Sequence, residues 1–392
     1  MIADFKVATL KKQLGLADVF SVATGAMISS GLFILPAIAF SRAGPAVILA
    51  YFLASLLVVP SVLSKAELAT AMPRAGGTYF FIERSMGSLW GMFSGFAGWF
   101  SLALKSAFAV VDMAILIEIT LQTVFSTQMS QWHLKAISIL CCLVFTALNI
   151  VSVKHTSRFQ VVLVGILLAI LTCFVIFGAK KVAAVGTGGY ENFLAKGWTA
   201  VFATAGLVFV SFGGLTKVAS IAEEVKEPGR NLPLGMILAW FIVALLYLGV
   251  IIVTVGVVDG KELSDSLLPV SLAASKFMGS TGFVILALAA IAAFITTANG
   301  GILAASRSPM AMSRDKLLPP LLARVHPRFK TPHASILLTG GFMITAIVCL
   351  DIESLVKTAS TLKIILFILV NASVIIMRES RIQSYRPKFR SP

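Results

Sequence analysis

The sequence predicts an all-α membrane protein of about ten transmembrane helices, and three observations predict it. The 392-residue chain is 58% hydrophobic and only 12% charged, whereas a soluble domain carries about 25% charged residues. Its mean hydropathy is +0.95, which means more apolar surface than a soluble core can bury. The apolar residues also gather into runs of roughly 20, the length a helix needs to cross about 30 Å of hydrocarbon.

Taken in chain order, the predicted spans run roughly over 17–40, 45–68, 90–123, 134–152, 159–179, 199–221, 233–257, 279–305, 333–350 and 354–377. The third exceeds the thickness to be crossed and is expected to tilt or to continue as an interfacial helix. The opening stretch MIADFKVATLKKQLGLADVF lacks a small-residue cleavage site behind a short apolar core. It reads as a basic tail entering the first helix rather than a signal peptide.

Charge sets the expected orientation. Lys11, Lys12, Arg74, Arg84, Lys154, Arg158, Lys226, Arg230, the run from Arg307 to Lys330, and Arg378, Arg381, Arg386, Lys388 and Arg390 share one side. That side holds about two-thirds of the 32 basic residues, roughly three times the opposite loops, where Arg42, Lys180, Lys181 and Lys196 lie. The positive-inside rule therefore predicts a multi-pass protein of the cytoplasmic membrane with both termini cytoplasmic. In a soluble chain a net charge of +15 would suggest nucleic acid. Here the charge is spread over the loops as topology demands, so anionic lipid is the expected partner and nucleic acid is not.

Catalytic constellations are missing from the sequence. Cys141, Cys142, Cys173 and Cys349 lie in apolar runs where packing is their expected role, and His133, His155, His326 and His333 form no cluster. There is no P-loop, nucleophile elbow or metal-ligand spacing. No enzyme activity, metal or cofactor is expected.

Two spans contain helix breakers, which lipid tolerates only where the freed backbone is buried in protein or lines a cavity. The first reads Thr24-Gly25-Ala26-Met27-Ile28-Ser29-Ser30-Gly31-Leu32-Phe33-Ile34-Leu35-Pro36, and the sixth reads Phe209-Val210-Ser211-Phe212-Gly213-Gly214-Leu215-Thr216. Each opens a half of five spans, and paired interruptions in matching positions mark a transporter's binding site. N–H groups at the start of one half-helix favour a carboxylate, and carbonyls at the end of the other accept from an ammonium group. On this reading the carboxylate of a small zwitterion meets Ser29, Ser30 and Gly31. Its ammonium group meets carbonyls near Ala26, Met27 and Phe209, with Ser211, Gly213 and Gly214 completing the site. Phe209 and Phe212 are candidate walls, or simply packing. Close helix packing by small residues is the competing explanation for the glycines.

Intramembrane charge marks further candidates. Lys105 and Asp112 lie seven residues apart on one face of the third span. Asp112 is a candidate proton site or ammonium partner, or forms a structural pair with Lys105. Lys217 either snorkels to the interface or sits as a fixed charge near the site. Thr296, Thr297 and Asn299 supply oxygens for a cation or for the first helix, or bond only within their own helix.

At these residues the sequence resembles the amino acid–polyamine–organocation permease family. Gly25-Ala26-Met27-Ile28-Ser29-Ser30-Gly31-Leu32-Phe33 is similar to its glycine-rich first span, and Ala66 to Tyr79 to its loop after the second. Glu223 to Pro233 resembles the loop after the sixth span, and Ala305-Ser306-Arg307 with Met312 to Pro319 the loop after the eighth. The resemblance implies a leucine-transporter type fold, a 5+5 inverted repeat working by alternating access, with substrate between the first, third, sixth and eighth helices. The repeats would cover 17–179 and 199–377, flanked by tails at 1–16 and 378–392. Family members usually have about twelve helices. In some, a lysine in the fifth helix replaces a bound sodium ion; here that position falls near Leu167, and Phe159 to Gly178 contains no lysine. An acidic residue common in the sixth helix is replaced by Thr216, followed by Lys217.

The expected function is a permease for amino acids or related amines, with a coupling proton or sodium ion among its partners. The alternatives are a potassium carrier built on the same core and a membrane sensor that binds without transporting.

Overall fold

A computed structural model of the chain describes residues 12–125, 131–151, 153–186, 188–381, 383 and 385–392. Lys11 and the side chains of Ser30, Lys154 and His155 lie outside the described set. Among the described residues the regular structure is helical, apart from one isolated bridge between Leu14 and Val225.

The first predicted span is three helices. α1 (Leu16–Met27) begins where the Gly15 N–H donates to Asp18 Oδ2 at 2.8 Å, and it stops at Ile28, whose backbone is extended (φ −74°, ψ 100°). α2 (Ser30–Phe33) restarts the chain, and α3 (Leu35–Ala43) continues it with Pro36 in the first turn, where a missing donor costs nothing. The second span is α4 (Val47–Leu57) and α5 (Val59–Ala71), joined at Val58 ahead of Pro60. α6 (Thr78–Met86) follows, then α7 (Ser88–Phe125), α8 (Gln131–Val151) and α9 (Val153–Val185).

The second half repeats the broken opening. α10 (Gly197–Val208) passes into a 3-10 turn at Phe209–Phe212 and resumes as α11 (Leu215–Ser220). α12 (Pro228–Val257) and the short α13 (Gly260–Asp265) come next. α14 (Pro269–Ala305) bends at Gly279 (φ 65°, ψ −161°), so the predicted start of that span at 279 marks a kink rather than a helix end. α15 (Arg307–Arg314), α16 (His333–Cys349) and α17 (Ile352–Glu379) complete the fold. The helices α6, α13 and α15 occupy stretches that hydropathy reads as connections.

Among the described residues seven helical stretches are long and apolar enough to cross a membrane, and α1, α10 and α16 are shorter apolar helices. Two of these three are short because their spans break. The protein is therefore a multi-pass integral membrane protein. The most apolar stretch of α7 is 78% buried, against 28% for α8 and for α9, which makes α7 an inner post and turns the other two to lipid. α7 packs along α14 and α17, while α1 packs on α12, α9, α11 and α14. The two broken spans thus meet in the middle of the bundle.

Candidate functional site

A helix that ends in a protein interior leaves its last carbonyls without partners. At the end of α1 each finds one. Thr24 O accepts from the Ile28 N–H at 2.8 Å, and Gly25 O accepts from Thr297 Oγ1 of α14 at 2.8 Å. Ala26 O accepts from Lys105 Nζ of α7 at 2.8 Å, and Met27 O accepts from the Tyr247 hydroxyl of α12 at 2.6 Å. Beyond the break, Gly31 O accepts from the Tyr51 hydroxyl at 2.7 Å, and the two tyrosine rings meet edge to face with centroids 5.8 Å apart. Four other helices therefore hold the interruption open.

The second interruption lies directly against the first. A Cβ on Gly214 would collide with Ala23 O and would lie 2.8 Å from the Met27 nitrogen, so the α1 backbone approaches as closely as glycine permits. Ser211 fills the space beside Gly31 that a side chain there would take. Phe212 packs on Tyr247 at 5.2 Å between ring centroids, and Phe209 meets Phe367 of α17 edge to face at the same separation. Ala26, Met27, Ser29, Gly31, Ser211 and Gly214 therefore lie where the two breaks meet.

The charged and hydroxyl candidates separate into two groups. Lys217 is buried and donates to Thr297 O at 2.7 Å, so it does not snorkel: it extends a chain from α11 through Thr297 to Gly25 of α1. Thr296 mainly bonds within its own helix, to Ala293 O at 2.8 Å. Asn299 faces away toward α8, where Asn149 Nδ2 donates to its Oδ1 at 2.6 Å. Asp112 is buried on α7, two turns beyond Lys105.

Two further lysines belong to this centre. Lys65 of α5 is buried, donates to Thr216 Oγ1 at 3.0 Å and stands 3.5 Å from the ring centre of Phe367, a cation–π contact. Lys363 of α17 is buried against Gly213, in the space a side chain there would need. The rule that singles out Lys105 and Lys217 covers them too, since both fall inside predicted spans.

Among the described residues, buried polar atoms without a hydrogen-bond partner include Ser29 Oγ, Ser211 Oγ, Thr24 Oγ1, Thr204 Oγ1 and Lys363 Nζ. Buried polar groups are rarely left unpaired. These five lie on the two broken spans and on α17 beside them; others of the kind are at Thr78, Glu83, Asn149, Ser271, His333 and Asn371.

One end of the bundle is closed by ion pairs. Arg307, fully buried at the start of α15, grips Glu224 Oε1 through Nη2 at 2.9 Å and Nε at 3.2 Å. Arg314 pairs with Glu223 at 3.1 Å, whose carboxylate also accepts from the Ala75 N–H at 3.1 Å. The Tyr79 hydroxyl donates to Asp315 at 2.7 Å, and Arg378 holds Glu67 of α5. The stretches after α5, α11 and α14 that carry the family resemblance are thus a single joined surface.

Broken spans seated on one another inside a multi-pass bundle, with orphaned polar groups at their junction, define a membrane transporter. The chain belongs to the amino acid permease family, whose model matches residues 14–392. A methylthioribose transporter of Bacillus subtilis is 29% identical over all of this chain and 86% of its own. The branched-chain amino acid permease BcaP of the same organism is 26% identical over 95% and 82%. Among solved structures, MhsT in complex with L-phenylalanine matches with a TM-score of 0.66 at 13% identity, covering 93% of this chain and 89% of that one. At that identity the likeness speaks for the fold alone, which is of the leucine-transporter type.

Proposed function

We propose that the chain is a secondary transporter that carries an amino acid or a related small metabolite by alternating access. The substrate lies where the α1–α2 break meets Phe209–Gly214. The observation that carries this reading is the seating of Gly214 on the α1 backbone at Ala23 and Met27, which joins both interruptions into one polar centre. Relatives named for branched-chain amino acids and for methylthioribose support a substrate of that size.

The residues divide by role. The backbone N–H groups of Ser29, Ser30 and Gly31 and the Ser211 hydroxyl meet the substrate's polar groups, while Phe209 and Phe212 wall it. Lys105, Lys217 and Thr297 hold the end of α1, and Asp112 remains a candidate for a coupling proton. A sodium ion is the alternative coupling partner, with Thr296 and Thr297 as its oxygen donors. The two halves, 17–179 and 199–377, move as inverted repeats. The excess of basic residues on one side supports a cytosolic side for both termini; on that reading the Arg307–Glu224 and Arg314–Glu223 pairs form the cytoplasmic closure that opens when the substrate is released.

Counterflow tests this reading. Proteoliposomes containing the full chain and loaded with an unlabelled amino acid should accumulate the labelled one transiently. Binding without exchange, across the common amino acids, would mean a sensor instead.

A further inference from the structure

We propose that the transported substrate is a net anion, an amino acid bearing a second carboxylate, and that Lys363 receives the extra charge beside Gly213. The inference rests on the reading of the two breaks as the carrier site and names its substrate class.

The charges at this centre are unbalanced. Among the described residues, buried lysines at 65, 105, 217 and 363 belong to four different helices, α5, α7, α11 and α17. Buried acids among the same residues are Glu67, Asp112 and Glu224. Glu67 is committed to Arg378 and Glu224 to Arg307. Asp112 alone remains within the bundle to set against four lysines. Burying unbalanced charge is expensive unless something of opposite sign accompanies it.

The hydrogen bonds point the same way. Acceptors released by the α1 break are already engaged: Ala26 O by Lys105, Met27 O by Tyr247 and Gly25 O by Thr297. Lys65 and Lys217 also have acceptors, Thr216 Oγ1 and Thr297 O. Among the groups without partners here are Lys363 Nζ, which can only donate, and Ser29 Oγ and Ser211 Oγ, which donate or accept. An ammonium ion can only donate, and a hydroxyl can donate to a carboxylate. A centre whose α1 carbonyls are engaged and whose Lys363 ammonium group has no acceptor fits a second carboxylate better than a second ammonium group.

Gly213 fixes where the extra charge falls. Lys363 lies in the space of its missing side chain, so the ammonium group meets the break itself. Gly31 likewise admits Ser211. Both contacts bring unpaired donors to the substrate's place between α2 and α11.

L-glutamate and L-glutamine, which match in shape and differ in one charge, are the probes. In proteoliposomes of the full chain, counterflow of labelled L-glutamate should exceed that of L-glutamine by roughly tenfold or more, the effect of one charge-assisted contact. Lys363→Met should bring the ratio toward unity chiefly by lowering glutamate exchange, a charge-selective outcome that a merely structural lysine would not give. Exchange of L-glutamine, L-leucine or L-lysine with L-glutamate excluded would overturn the proposal and leave the transport reading intact. An unchanged ratio in Lys363→Met would also overturn it. No exchange of any of the four would overturn this proposal as well and leave the transport reading to counterflow across the remaining amino acids. Should the variant not fold, thermal protection of the wild-type chain decides: L-glutamate stabilising more than L-glutamine supports the assignment, and the reverse order overturns it.

Discussion

Lys105 reaches from α7 to the carbonyl oxygen of Ala26 at 2.8 Å and so places a cation at the C-terminal end of α1, inside the protein. That end of a helix carries the negative pole of its dipole and its unpaired carbonyls. One ammonium group answers both. With Thr297 on Gly25 O and Tyr247 on Met27 O, it makes the interruption of α1 a supported feature of the fold.

Lys105→Met should therefore destabilise the protein, leaving Ala26 O buried without a donor at a cost of about 1–3 kcal/mol. Thermal unfolding in detergent, followed by tryptophan fluorescence, should show a lowered Tm. Counterflow should fall by roughly tenfold or more, since misplacing a binding group by about 1 Å can cost a hundredfold.

Gly214→Ala should separate the two broken spans, because its Cβ would strike Ala23 O and the Met27 nitrogen. Forcing an extra methyl into a packed site costs about 1–3 kcal/mol. Gly206→Ala is the matched control: a Cβ there meets nothing within 4 Å, on a helix only three residues before the 3-10 turn at Phe209. It should be neutral or stabilise α10 by up to about 1 kcal/mol. Unfolding and counterflow of both variants check the contrast.

The Arg307–Glu224 pair is nearly free of solvent, with side-chain exposures of 0% and 7%. Removing one partner of a buried pair leaves the other charge uncompensated, at about 3–5 kcal/mol. Arg307→Met and Glu224→Gln should each destabilise strongly, and the double variant should lose much less than their sum. A double-mutant cycle on thermal unfolding measures this coupling. Additive losses would show that the pair does not hold the closure together.

Tyr79 predicts an alkaline effect. Burial first, and then its hydrogen bond to Asp315, raise the phenol above its ordinary value. A group whose folded value is raised stabilises the fold below the unfolded value, about 10 for tyrosine, and loses that contribution as pH rises above it. Tyr79→Phe should flatten the fall in Tm above about pH 10, with Tm followed against pH in both proteins.

Much of this architecture was legible in the residues. Gly25 to Gly31 and Phe209 to Gly214 mark the interruptions because lipid forbids free peptide groups except inside protein. The seven long apolar helices among the described residues were legible because length and hydropathy are local properties of the chain. The partners of the breaks were not legible. Lys105 lies 79 residues from Ala26, and Lys65 lies 151 residues from Thr216, so only the fold brings them together. Lys217 was ambiguous because a lysine near a span's end reaches the interface or the interior equally well by length alone; its bond to Thr297 O decides for the interior. Asn299 resembled a ligand in sequence because facing α8 or facing the site depends on helix rotation, which composition does not encode. Short α6 and α15 escaped because each is polar on one side, and hydropathy alone reads that as connection.

Cysteine protection measures most directly whether the meeting point of the two breaks holds the substrate. Ser29→Cys and Ser211→Cys, in a background with Cys141, Cys142, Cys173 and Cys349 replaced by alanine, would be alkylated by a small thiol reagent in proteoliposomes. A saturating transported amino acid is predicted to slow modification at both positions by roughly tenfold, the occupancy effect of ligand well above its Kd. Rates unchanged by a substrate that is still being transported would contradict the account, because the carried molecule would then pass elsewhere.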